Sequence, residues 1–305
     1  MRVAVTGANG FIGGYLVEAL LAAGHEVVCI GRSEASLAGV KGDVVRHVTD
    51  FSPADLTAAL AGCDSLVHLA GRRSVRGEDM ELVAEFAQTG LMMLDGLLRA
   101  ALENRLRQVV QISSIAVYSG ANRKPYDEAE PPVPASNYGL AKLFCEHYAD
   151  WWSARHAIPA AHLRVAACFG AGEKLTPALM SLCDRASRKQ MLKLSNGGHH
   201  AIDQIYVADV VDAILTVLAK GAVGGVGGAF NIGAGRAATV REIAETANSV
   251  FGNDGNLTIE PPQPESEPAL TNHMRIDRAA AVLGWAPRHS LRQGIAAMRD
   301  RHNRI

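Results

Sequence analysis

Gly7, Gly10 and Gly13, spaced three residues apart, constrain this chain more than any other feature. They lie in T-G-A-N-G-F-I-G, directly after the apolar run Val3, Ala4, Val5, where a buried strand must turn at once into a helix. Glycine lets such a turn bring bare backbone against a ligand. The helix that follows aims its unpaired N–H groups and positive dipole end at the same place. A glycine one turn into the helix, here Gly13, permits close packing on the strand. The stretch predicts an anion site built from Gly7, Asn9, Gly10, Phe11, Ile12 and Gly13.

Helical periodicity follows the turn: Phe11, Ile12, Tyr15, Leu16, Ala19, Leu20 and Ala23 share one broad face before Gly24. His25 to Ile30 then reads as a second buried strand. A glycine fingerprint inside a β-α-β unit is a dinucleotide site, and its anion is a pyrophosphate. The end of the second strand selects the dinucleotide. A carboxylate there would accept hydrogen bonds from the adenosine ribose of NAD, but this chain has Gly31-Arg32-Ser33. A guanidinium can pair with a 2′-phosphate and stack on adenine, and a serine can add a donor. Arg32 and Ser33 therefore point to NADP(H), with NAD as the alternative.

Further along, Val44 to Val48 is a third strand, 53–60 a short helix and Ser65 to Leu69 a fourth strand. That strand runs into Leu69, Ala70 and Gly71, small enough to lie beside a bound cofactor, while His68 reads as a packed strand residue. A long helix over 79–104 and a strand from Val109 to Ile112 continue the alternation. Apolar strands alternating with helices predict an α/β fold with a right-handed, doubly wound parallel sheet. With 305 residues, 48% of them hydrophobic and 20% charged, there is room for that domain and a smaller lobe.

Composition excludes other classes. Thirty basic against 31 acidic residues argue against nucleic acid or an anionic membrane as the main partner. Cys29, Cys63, Cys145, Cys168 and Cys183 are scattered, with no C-x-x-C pair, and read as reduced, mostly buried thiols, neither a disulfide frame nor a metal site. No apolar run approaches the roughly 18 residues of a membrane helix. The first strand begins at residue 2, ahead of which a signal peptide would not fit, so a cytoplasmic protein is expected.

The chemistry concentrates where the fifth strand ends. Ser113-Ser114-Ile115-Ala116-Val117-Tyr118 places hydroxyls at the carboxyl edge of the sheet, where ligands bind in such folds. Some twenty residues on, N-Y-G-L-A-K sets Tyr138 and Lys142 four apart, on one face of a helix that runs to about His156 with Ser136 as its N-cap. A phenol of pKa about 10 is a poor base at neutral pH, but a neighbouring ammonium favours its phenolate. Lys142 would supply that field and anchor the nicotinamide ribose. Tyr138 would exchange a proton with a carbinol oxygen, and Ser114 would donate a hydrogen bond to the same oxygen.

At this point the sequence resembles the extended short-chain dehydrogenase/reductase family, in its NAD-dependent epimerase/dehydratase, or nucleotide-sugar, branch. The matching stretches are T-G-A-N-G-F-I-G (6–13), L-V-H-L-A-G (66–71), S-S-I-A-V-Y (113–118), Y-G-L-A-K (138–142), L-R-V-A-A-C-F-G (163–170), I-Y-V-A-D-V-V-D-A-I (205–214), F-N-I-G (230–233) and L-G-W-A-P (283–287). The resemblance implies a Rossmann domain over 1–166, to which 205–233 return, and a smaller C-terminal α/β substrate lobe over 167–204 and 234–305. It also implies a Ser-Tyr-Lys triad at Ser114, Tyr138 and Lys142, and a homodimer joined through the helix near 85–104 and the Tyr138 helix. On the first of these, Leu91, Met92, Leu94 and Leu98 can be read either as an exposed apolar face or equally as core residues.

The departures bear on the substrate. Many relatives that bind a nucleoside diphosphate sugar carry an asparagine where this chain has Ala167, and an arginine shortly before I-Y-V where it reads His200-Ala201-Ile202-Asp203-Gln204. His199, His200, Arg185 or Arg275 are the available substitutes. In the C-terminal part, helices are expected over 178–188, Tyr206 to Lys220 with Asp209 and Asp212 at its start, Thr239 to Phe251 with a Thr239/Glu242 capping box, Asp277 to Leu283, and Ser290 to Arg301. Pro261, Pro262, Pro264 and Pro268 mark an extended segment, where Glu265 is a further substrate candidate. Together these features predict an NADPH-linked ketoreductase of a nucleotide-linked keto-sugar, with a small-molecule carbonyl or sugar as substrate. The alternative is an NAD-dependent nucleotide-sugar epimerase. Among the enzymes a dehydratase ranks last, because Ile115 and Ala116 after Ser114 offer no further acid/base group, and a non-catalytic NADP(H) sensor is less favoured because it would have no use for Tyr138 and Lys142.

Overall fold

The structure, a computed structural model, describes residues 1–71, 87–173, 177–221, 225–262 and 270–302. The first half contains β1 (Arg2–Thr6), α1 (Phe11–Ala22), β2 (Glu26–Gly31), α2 (Glu34–Leu37), β3 (Val45–Val48), α3 (Pro53–Ala59), β4 (Ser65–His68), α4 (Met93–Glu103), β5 (Gln108–Ser114), α5 (Asn137–His156) and β6 (Ala160–Val165). The second half contains β7 (Ala167–Phe169), α6 (Pro177–Ser187), β8 (Leu192–Leu194), β9 (Ala201–Tyr206), α7 (Val207–Gly221), β10 (Gly228–Ile232), β11 (Ala237–Thr239), α8 (Val240–Phe251), β12 (Leu257–Ile259), β13 (Thr271–Asn272) and α9 (Leu291–His302).

Seven strands form one sheet in the order β10-β6-β5-β4-β1-β2-β3, with every pairing parallel. The strand alternation explains its two-sided burial. Val3 and Val5 enter one core with Leu16 and Ile214, whereas Ala4 faces the other with Leu97 and Trp152. The sheet is therefore covered by helices on both faces, the doubly wound α/β arrangement that the sequence predicts. Beyond its carboxyl edge, β7, β9, β11 and β13 form a second sheet, and β8 pairs with β12.

Local signals translate directly. Ser136 caps α5, accepting from the Gly139 N–H at 3.1 Å. The Thr239/Glu242 box closes at 3.0 Å and 2.7 Å. All five cysteines are buried and free. No described helix is long and apolar enough to cross a membrane.

Other expectations change. The helix expected over 79–104 is described only from Ala87, where a wide π-helical turn (Ala87–Met92) leads into α4. Of the two readings of the apolar residues here, Leu94 and Leu98 follow the core one, fully buried against α3 and the sheet, while Met92 is 66% exposed. The outward apolar surface lies instead on α5, at Phe144 and Trp151. Asp209 does more than favour a helix dipole: it accepts the main-chain N–H groups of Arg288 and His289 and holds the His289 ring at 2.7 Å. Of the proline-marked segment, Pro264, Glu265 and Pro268 lie outside the described residues.

Candidate active site

The glycine turn sits at the carboxyl edge of the sheet, between β1 and α1. Gly7 has a φ of 71°, and the Gly10 N–H donates to its carbonyl at 2.9 Å. A methyl on Gly7 would lie 2.7 Å from the Ala70 nitrogen and 2.9 Å from the Leu69 carbonyl carbon. The turn and the end of β4 are thus in backbone contact, which places Leu69, Ala70 and Gly71 beside it. Thr6 fixes that junction, since its Oγ1 accepts from Ala70 N at 3.3 Å and bonds His68 Nδ1 at 2.8 Å. Gly13 acts differently from the expectation. A methyl there would lie 2.1 Å from the Gly7 carbonyl oxygen and 2.8 Å from Ala8 Cα, so Gly13 makes room for the turn itself and not for the strand. Gly10 caps α1 without a side-chain bond, and the first turn holds no acidic residue. The N–H groups at the start of a helix have no intrahelical partner, so this end suits a pyrophosphate. Exposed Asn9 and half-buried Phe11 and Ile12 flank it.

His68 is the packed strand residue expected. Burial, helped by the nearby Lys142 ammonium, pushes its pKa down to about 3, so the ring is neutral. At the end of β2, Arg32 is exposed, and among the described residues no hydrogen bond or ion pair holds it. Ser33 is committed locally. Its Oγ accepts from Ser36 N at 3.2 Å, and its N–H donates to Ser36 Oγ at 3.1 Å, capping α2. A side chain at Gly31 would meet Ser36 Oγ at 2.4 Å and Leu37 Cγ at 2.8 Å, so no carboxylate fits there.

Ser114, Tyr138 and Lys142 are brought together by one close approach. Ser114 ends β5, and its Oγ accepts from Ala116 N at 3.1 Å, capping the tight turn Ile115–Val117. Gly139 lets α5 lie directly on that turn, because a methyl there would fall 2.0 Å from the Ala116 carbonyl oxygen. Tyr138 and Lys142 follow on the same helix, with the ammonium 6.0 Å from the phenol ring centroid. Lys142 Nζ donates to the Ile112 carbonyl at 2.8 Å. A methyl on Gly71 would stand 3.6 Å from the same Nζ, so the lysine also reaches the end of β4. The ammonium therefore stands between the phenol and the strand ends that flank the glycine turn.

Below this group lies a buried network that the sequence reading missed. Arg164 on β6 is 5% exposed and Glu146 on α5 only 1%. The guanidinium donates to both carboxylate oxygens, through Nε at 3.2 Å and 3.1 Å and through Nη2 at 2.7 Å. Ser113 Oγ donates to Glu146 Oε1 as well. Arg164 Nη1 donates to the Tyr118 phenol oxygen at 2.6 Å, and that phenol donates to Asn231 Oδ1 at 3.0 Å. Tyr118 is pushed up to about 12, mainly by burial. The available signal was the continuation of the four-residue spacing from Tyr138 and Lys142 to Glu146, with an arginine and a histidine inside an otherwise apolar strand.

On the second sheet, Ala167 stands opposite Gln204, whose Oε1 is buried without a partner among the described residues. Asp203 accepts from Ala234 N at 2.7 Å and Met274 N at 3.3 Å. The substitutes named for the diphosphate are partly engaged. Arg185 donates to the Met191 carbonyl, His200 accepts from Leu270 N, and Arg275 pairs with Asp127 and Asp277, whereas His199 is exposed.

Comparison with known proteins accords with this geometry. Residues 3–233 match the NAD dependent epimerase/dehydratase family. A UDP-glucose 4-epimerase of Mycolicibacterium smegmatis is 33% identical, over 97% of this chain and 96% of its own. The crystal structure of UDP-N-acetylglucosamine 4-epimerase from Bacillus cereus superposes with a TM-score of 0.86 at 27% identity, covering 100% of this chain and 97% of that one. MoeE5 in complex with UDP-glucuronic acid and NAD superposes with a TM-score of 0.82 at 26% identity, over 100% and 99% of the two chains.

Proposed function

The chain belongs to the NAD dependent epimerase/dehydratase family and is an enzyme, and from that premise we propose that it is an NAD-dependent epimerase of a nucleotide-linked hexose. NAD is held in this reading by the turn from Gly7 to Gly13, whose tight backbone packing leaves no room for a Cβ at either glycine. The chemistry that bound NAD supplies is reversible hydride removal from the carbinol carbon. Tyr138 takes the proton of the sugar hydroxyl and returns it after the hydride has been replaced on the other face. Ser114 donates a hydrogen bond to the same oxygen, and Lys142 favours the phenolate and anchors the nicotinamide ribose. The carrying observation is the contact of α5 with the Ser114 turn, which gathers serine, tyrosine and lysine at one point beside Gly71. In this reading the lobe formed by 167–204 and 234–305 receives the nucleotide sugar.

This differs from the NADPH ketoreductase expected from Arg32 and Ser33. Ser33 is occupied in capping α2, which leaves Arg32 alone to recognise a 2′-phosphate, and the structural relative MoeE5 is complexed with NAD. The test is to denature the purified protein, identify any released nucleotide, and assay interconversion of UDP-glucose and UDP-galactose. Retained NAD with turnover, and no turnover in folded Tyr138→Phe, is the expected result. An empty site that prefers NADPH, with the preference abolished by Arg32→Asp, would instead favour the ketoreductase. A homodimer through α5 fits the exposed Met92, Phe144 and Trp151; Trp151→Glu should then reduce the mass measured by light scattering to that of one chain.

A further inference from the structure

Tyr138, Lys142, Glu146 and Asp150 recur every four residues along α5 and so share one stripe of the helix. The stripe meets a row of polar side chains on the sheet. Asp150 bonds His162 Nε2 on β6 at 2.9 Å, Glu146 bonds Arg164 and Ser113, and Lys142 bonds only the Ile112 carbonyl among the partners described. One turn separates the Lys142 ammonium from the Glu146 carboxylate, the spacing at which lysine and glutamate pair on a helix. They do not pair here, because both Glu146 oxygens are taken by the Arg164 fork.

We infer that Arg164 is a positioning residue for proton transfer: by occupying Glu146 it keeps that carboxylate off Lys142 and leaves the ammonium's field to act on Tyr138. The inference rests on the reading of Tyr138 as the acid/base group. The placement of the ion pair asks for more than a generic core contact. Replacing a buried ion pair by apolar groups is often neutral or stabilising, so burial alone gives no reason to place two charges 1% and 5% exposed beneath a reacting lysine. The pair instead spans the three elements that carry the site. Glu146 is on the helix of Tyr138 and Lys142, Ser113 precedes Ser114, and Arg164 holds Tyr118 just beyond the Ser114 turn.

Among the described residues, the other titratable groups around the stripe do not take over this role. His68 on β4 is neutral, and the Cys145 thiol is raised by burial. Tyr118 is held in its neutral form. Glu128 accepts the Asn231 N–H at 2.7 Å and is raised by burial, facing Arg164 and not Lys142. Glu146 is therefore the carboxylate placed to quench Lys142 once Arg164 is removed.

The experiment is a spectroscopic titration of the Tyr138 phenolate, taken as the absorbance difference between each protein and its Tyr138→Phe counterpart, which needs no turnover. Arg164→Met, shown folded by circular dichroism, should raise the ionisation midpoint by about 1 pH unit. Adding Glu146→Gln should bring it back to the wild-type midpoint. A folded Arg164→Met protein with an unmoved midpoint overturns the inference. So does a double variant that keeps the shift, since that would mark a packing effect. If Arg164→Met does not fold, Arg164→Lys stands in, because one ammonium cannot occupy both oxygens. A smaller rise with the same reversal is then expected, and no rise overturns the inference. Failure of the epimerase reading would appear separately, as a wild-type protein that titrates but does not turn over UDP-hexoses.

Discussion

Gly139→Ala tests the contact that assembles the site. The added methyl would stand 2.0 Å from the Ala116 carbonyl oxygen and 2.8 Å from its carbonyl carbon, with Pro134 Cβ at 3.1 Å. The nearest atoms are backbone, and a Cβ does not approach another atom closer than 3.0 Å, so α5 and the Ser114 turn must part by about 1 Å. Overpacking of this kind costs about 1–3 kcal/mol. Alanine's better helix propensity offsets about 1 kcal/mol of it. The net loss of about 0–2 kcal/mol corresponds to a fall in Tm of no more than about 3 °C for a chain of this size. The functional effect should be larger, because a misplacement of about 1 Å between reacting groups can cost about 100-fold in rate. Interconversion of UDP-glucose and UDP-galactose by the folded variant should therefore drop by about two orders of magnitude, with NAD binding preserved because the glycine turn is untouched. A folded variant with wild-type kcat would refute the claim that this approach positions the triad.

Other consequences follow from the same geometry. Gly13→Ala, which would push into the Gly7 carbonyl, should abolish NAD binding in a fluorescence titration while α/β circular dichroism persists. For His68, the folded pKa of about 3 lies below the unfolded value of 6.5, so the unfolded chain binds the proton first as pH falls. Its contribution to stability, present above about pH 6.5, is thus reduced by about 2 kcal/mol at pH 5, and His68→Gln should flatten the acid side of the Tm–pH curve. Asp203 behaves oppositely. Burial raises it to about 6, against the pull of the N–H groups of Ala234, Met274 and Gly235, so the folded state holds the proton. Stability from this group falls by up to about 3 kcal/mol as pH rises from about 4 to 6, and Asp203→Asn should steepen the same curve relative to the wild type.

The glycine turn, the alternation of strands and helices, the Ser136 cap, the Thr239/Glu242 box and the Tyr138/Lys142 spacing were all legible in the sequence. Each is set within a few residues by backbone sterics, by side-chain period or by a local hydrogen bond. Only the tertiary structure decided what those elements meet. Leu94 and Leu98 could be read as a surface face or as core, and they are core because α3 lies over them. Ser33 read as a phosphate donor and is bound to Ser36, while Gly13 clears the Gly7 carbonyl and not the strand. The pairing of Glu146 with Arg164 depends on how α5 lies across β6, a register set by the approach of Gly139 to Ala116. A local pattern can tell which residues a helix turns inward. Which charge waits on the facing strand is fixed only when the sheet assembles, and that decides how freely Lys142 acts on Tyr138.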